Sequence, residues 1–141
     1  MFQPTRDQAR STFFEAWRKY RAGEPLVGIE ALALEVILLH GEYHELLSHP
    51  ERVRDKDYLD ESNPFLHMSL HMALDEQLSI DQPPGIAARF GALVAKYHDR
   101  HEALHQALEC LAETVWRAQR DGAPPDATAY LDCLAARALR K

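Results

Sequence analysis

Two stretches of the chain, HMSLHMALD at 67–75 and HEALHQALE at 101–109, share one pattern: His-x-small-Leu-His-x-Ala-Leu-acid. Histidines at i and i+4 share a helix face, which is the usual way a helix presents two ligands to one ion. On a wheel of about 100° per residue, His71 lies about 40° from His67, and Leu70, Leu74 and Leu78 fall within roughly 60° of it. His101 and His105 share the arc of Leu104, Leu108, Leu111 and Val115 in the same way. Both pairs therefore belong to the apolar stripe of their helix. Asp75 and Glu109 stand at the stripe edge, one turn beyond each second histidine.

A neutral imidazole buried without partners costs on the order of 1–3 kcal/mol. A metal ion would satisfy the acceptor nitrogens, with carboxylates orienting the remaining N–H groups. The expected ligands are His67, His71, His101 and His105, with Asp75 and Glu109 as carboxylate ligands or outer acceptors. A third pair, His40 and His44, lies in HGEYHELL. Because Gly41 would break a helix there, His44 is the expected extra ligand and His40 the weaker choice. The competing reading is a metal-free helical interaction protein, or adaptor, in which the histidines pair with carboxylates.

The donor types bound the ion. Imidazole and carboxylate without thiolate suit iron, zinc, manganese or nickel and argue against an iron–sulfur cluster. Four to six ligands spread over three helical layers, each about 6 Å from the next, exceed one tetrahedral zinc. A dinuclear non-haem iron site is the expectation, although the Glu-x-x-His signature of ferritin-like proteins is absent. Oxygen or redox chemistry would follow from iron, and metal-dependent hydrolysis is the lesser alternative. His98-Asp99 offers a second route to hydrolysis, but Asp99 reads better as a helix cap. The sequence names no small-molecule substrate.

These residues need helices to place them, and helical signals run the length of the 141 residues. Thr5 and Gln8 have capping-box spacing and Gly23 marks a stop. A second helix is expected from about Leu26 to Leu39, and a short third one in EYHELLSH, ended by Pro50. ERVRDKDYLDES is the longest connector. Asn63-Pro64 opens a helix to about Ile80, and DQPPG leads into another from Ile86 to Tyr97. Asp99 and Glu102 open a long helix to Arg120, and Asp126 caps a last one to about Leu139. With no β alternation, the chain is expected to form one all-α domain over 1–141, a bundle of six to seven helices. If the helices at 64–80, 86–97 and 99–120 run up, down and up, the two histidine frames lie parallel and in register.

Composition narrows the partners. The net charge is −6 with scattered Lys and Arg, which argues against nucleic acid. IEALALEVILL is too short and too charged for a membrane span, and MFQPTRDQARS has no signal-peptide run, so a cytoplasmic location is expected. Cys110 and Cys133 fit no zinc or redox spacing and read as reduced, buried thiols. Phe13, Phe14, Trp17 and Trp116 read as core, while a partly exposed first helix would offer a homodimer contact.

The segments EYHELL, NPFLHMSLHMALDEQLSIDQPPGI and ECLAETVWRAQRDGAPPD resemble a proteobacterial family of uncharacterised proteins, the domain of unknown function numbered 1841. The resemblance extends from FFEAWRKYRAGEPL to AYLDCL. It implies a small bacterial cytoplasmic protein and supplies no activity, cofactor or catalytic residue. The family pattern carries proline where this chain has Gly41, and a proline there would start a new helix at His40.

Overall fold

The computed structural model describes residues 6–52 and 63–139. Among them the fold is all-α, with no strand and seven α-helices: α1 (Arg6–Ala22), α2 (Ile29–Leu38), α3 (His44–Leu47), α4 (Pro64–Ile80), α5 (Ile86–Tyr97), α6 (Arg100–Asp121) and α7 (Ala127–Leu139). Two 3₁₀ turns, Gly41–Tyr43 and Pro50–Arg52, flank α3. The chain divides into two compact units, Met1–Met72 and Ala73–Lys141, and α4 runs through the division.

Helix ends follow local chemistry. Asn63 Oδ1 accepts from the amides of Phe65 and Leu66 at 2.9 and 3.0 Å, satisfying two of the amides that open α4. Asp99 Oδ1 accepts from the His101 amide at 2.9 Å and opens α6. Glu102 does not complete the expected capping box there; its Oε1 accepts from Gln106 Nε2 instead. Asp126 Oδ1 accepts from the Ala129 amide at 3.0 Å and opens α7. Gly122 ends α6 with φ +61°, a left-handed conformation that side chains resist. The cap expected at Thr5 and residues 53–62 of the long connector lie outside the described residues.

The second helix begins later than its apolar run suggested, at Ile29 rather than Leu26. Gly28 turns the chain with φ +56°, and Glu30 reaches back to accept from the Val27 amide at 2.9 Å. The same carboxylate pairs with Lys19 Nζ at 2.8 Å, fastening the end of α1 to the start of α2. The core of the first unit gathers Phe13, Ala16 and Trp17 of α1, Ala33, Val36 and Ile37 of α2, and Phe65, Met68 and Met72 of α4. Its packing gives α4 a rigid footing at the residues that flank His67 and His71.

In the second unit α7 packs on both α5 and α6. Ile86, Phe90 and Leu93 of α5, Leu104, Leu108 and Leu111 of α6, and Tyr130 and Leu134 of α7 are buried. Tyr130 donates to Gln77 Oε1 at 2.8 Å, and burial pushes its phenol well above the ordinary range.

The cysteines overturn the expectation of free thiols: Cys110 and Cys133 form a disulfide. The short connection after Gly122 folds α7 back on α6 as a helical hairpin. Their Cα atoms stand 5.9 Å apart, inside bridging distance. Arg137 of α7 then reaches both Gln106 and Glu109 of α6. Residue numbers thus fall along α6 as they rise along α7, so the pair is antiparallel.

Candidate metal centre

Three imidazoles converge in the first unit. His40 closes α2's final turn, while His67 and His71 come from successive turns of α4. The ring centroids of His40, His67 and His71 lie 4.7–4.8 Å from one another, with interplanar angles of 68–83°. One nitrogen from each ring lies within 4.8 Å of the other two. The rings meet edge to face instead of stacking, and this brings their nitrogens close together. His40 and His71 are each 1% exposed and His67 is half-buried, so the group is nearly closed from one side.

The local backbone explains how His40 arrives there. After Leu38 the α-helix gives way to the 3₁₀ turn at Gly41–Tyr43, with His40 at φ −127° and ψ 70°. Its ring folds back along α2, and Nδ1 donates to the Val36 carbonyl at 2.8 Å. A carbonyl can only accept, so Nδ1 carries the hydrogen and the neutral ring presents Nε2 as a lone pair. This arrangement is the one that orients an imidazole for an ion.

His67 Nε2 stands 3.0 Å from His40 Nε2. Two imidazole nitrogens on a tetrahedral ion at about 2.0–2.1 Å stand roughly 3.3–3.4 Å apart. Opening the pair by a few tenths of an ångström would therefore admit the ion. The donor set is neutral and nitrogen-only, which favours borderline divalent transition metals over calcium or magnesium.

Tyr43 packs beside this group. Its ring stacks on His40 at 5.4 Å and 10°, and meets His67 edge-on at 6.3 Å. Burial first, and then the nearby Glu42 carboxylate, raise the Tyr43 phenol above its usual range. It stays a neutral phenol at physiological pH.

A family model for a domain of unknown function (DUF1841) matches residues 5–136. The chain belongs to this family. No curated protein and no solved structure matches it.

The residues singled out by their spacing are divided between the two units. His67 and His71 meet in the first unit, joined by His40. His44 turns elsewhere: its Nε2 donates to the Ile37 carbonyl at 2.9 Å and its ring lies 4.4 Å from Trp17. Asp75, His101, His105 and Glu109 belong to the second unit. There the rings of His101 and His105 approach to 4.2 Å, and Glu109 is ion-paired with Arg137. Asp99 caps α6, as its spacing suggested, and His98 ends α5 in a left-handed conformation with φ +58°.

His40 is the residue that sequence spacing undervalued. Gly41 does break the helix, but the break is what frees His40 to fold back on Val36. The usable signal was the position of His40 at the end of an apolar helix whose face points to the core.

Proposed function

We propose that this chain binds a single transition-metal ion through His40, His67 and His71. The observation that carries the reading is the convergence of three ring nitrogens, one of them held as a lone pair by a backbone carbonyl. An all-imidazole set suits zinc, iron(II), nickel or copper. A dinuclear iron centre needs bridging carboxylates, and the converging group in the first unit supports a mononuclear site instead. The three imidazoles of the first unit would supply much of the coordination sphere of such an ion, and imidazole sets of this kind serve catalytic as well as structural sites. Metal-assisted hydrolysis therefore ranks beside oxygen chemistry as the reaction class such a site would serve.

The deciding experiment is metal analysis of protein purified without chelators or a histidine tag, followed by dialysis against zinc, iron(II), nickel and copper in turn. One equivalent bound by the natural chain, and lost on His40→Ala or His71→Ala, supports the reading. Substoichiometric metal that these replacements leave unchanged sinks it.

A second reading is a metal-free interaction module. It is favoured by α2 and its approach, where Val27, Ile29, Leu32, Leu38 and Leu39 are all exposed. A concentration-dependent mass in light scattering, in protein free of metal, would support that reading.

Location follows from two opposed considerations. Among the described residues no helix is long and apolar enough to cross a membrane, and a cytoplasmic protein is the simplest inference from composition. Disulfides are rare in a reducing cytosol, so the Cys110–Cys133 bond favours an oxidising setting. Trapping thiols in intact cells before lysis distinguishes them.

A further inference from the structure

We propose that Cys110 and Cys133 form a reversible redox couple, opened by a small external thiol that attacks Cys133 while α7 stays docked on α6. The inference is independent of the metal reading, because both sulfurs and every contact it uses lie in the second unit.

Access decides which sulfur is attacked. Cys110 is 1% exposed, whereas Cys133 is half-buried on α7. Ala129 and Ala136, its neighbours one turn before and after, carry only methyl groups, and both Ala136 and Asp132 are exposed. Thiol–disulfide exchange follows access to the sulfur as well as thiolate character. Cys133 is thus the point of entry and Cys110 the leaving group.

The exchange balances in two steps. The external thiolate bonds to Cys133 Sγ as the Cys110–Cys133 bond breaks, and Cys110 leaves as a thiolate that takes a proton from water. A second external thiolate then attacks the sulfur of the first, and Cys133 leaves and is protonated in turn. Two thiols become one external disulfide, and the protein pair gains two electrons and two protons. An external disulfide drives the same steps in reverse.

The hairpin has other fastenings, which is why the bond can open in place. Arg137 Nη1 donates to Gln106 Oε1 at 2.7 Å and pairs with Glu109. Tyr130 donates to Gln77 Oε1, Tyr130 and Leu134 are buried, and α7 packs on α5 as well as α6. None of these contacts passes through sulfur. The reduced cysteines therefore keep the facing positions that hold their Cα atoms 5.9 Å apart, and closure is an intramolecular step. The chain has two cysteines in all, so no third thiol diverts it.

The test exposes the folded full chain to reduced glutathione, quenches samples with acid and reads intact mass beside helical circular dichroism. The bond should open with the helical signal unchanged and close again in oxidised glutathione. The mixed disulfide trapped from the natural chain should map to Cys133. With oxidised glutathione, Cys110→Ala should gain one adduct, about tenfold or more faster than Cys133→Ala, whose remaining thiol is sealed. Opening only at urea concentrations that unfold the natural chain would overturn the proposal and make the bond a purely structural crosslink. A mixed disulfide at Cys110, or equal adduct rates in the two variants, would overturn the assignment of Cys133. The natural chain decides alone if either variant does not fold.

Discussion

His40 Nε2 and His67 Nε2 face each other at 3.0 Å, and the partner of His40 Nδ1 decides which of them holds the proton. Val36 O fixes Nδ1–H on His40, so in the neutral pair His67 must donate from Nε2 and keep its lone pair on Nδ1. Metal cannot bind His67 Nε2 in that tautomer. Binding must move the His67 hydrogen to Nδ1 while leaving His40 as it is. Nitrogen-15 spectra of the imidazoles, recorded without and with zinc, should show this change at His67 and none at His40. An Nε2–H tautomer at His40 in the metal-free protein would contradict the hydrogen bond to Val36.

The proposed site makes different demands on His40, His71 and His44. Loss of an outer-sphere partner typically costs about 10–100-fold in metal affinity, and loss of a direct ligand should cost more. His40→Ala and His71→Ala are therefore expected to weaken zinc by more than 100-fold in competition with a chromophoric chelator. His44→Ala should keep one equivalent of zinc, because Nε2 of that ring is spent on Ile37 O and its face on Trp17. Thermal melting would show the cost of His44→Ala instead.

What could be read from the sequence divides along physical lines. Asn63, Asp99 and Asp126 each announce a helix start because a short side-chain acceptor can reach the orphan amides of the first turn, an interaction within three residues. His67 and His71 sit in an apolar stripe, which periodicity alone reveals. His40 depends on a turn whose geometry periodicity does not encode. The disulfide depends on two residues 23 apart in sequence being folded together by a hairpin, with no spacing motif to signal it. Interactions confined to one turn were legible, and those that needed tertiary placement were not.

Glu30 gives the acid limb of the stability curve. Its carboxyl is held below the usual range, first by Lys19 Nζ and then by the Val27 amide. A depressed folded value means that folding favours the ionised form. The contribution is complete above the unfolded value, about 4.3, and is lost as pH falls through the lower folded one. Natural protein should therefore lose melting temperature below about pH 4.3 more steeply than Glu30→Gln, which should start lower at neutral pH. Parallel curves for the two proteins would show that the Lys19–Glu30 contact is not coupled to folding.

The Cys110–Cys133 bond closes a loop of 23 residues in the unfolded chain. By the loop-entropy relation such a crosslink contributes about 3 kcal/mol. Reduction should therefore lower the urea midpoint of the natural protein, while Cys133→Ser should match the reduced form and ignore the reductant. The second unit is not expected to come apart at once, because Arg137 still holds Gln106 and Glu109 and α7 still packs on α5. Helical circular dichroism of the reduced protein should stay near its starting value until urea is added. Mass spectrometry supplies the independent check, since reduction adds two hydrogens to the intact mass. A mass that does not change on reduction, with a urea midpoint indifferent to the reductant, would mean that the two sulfurs are free in the folded protein.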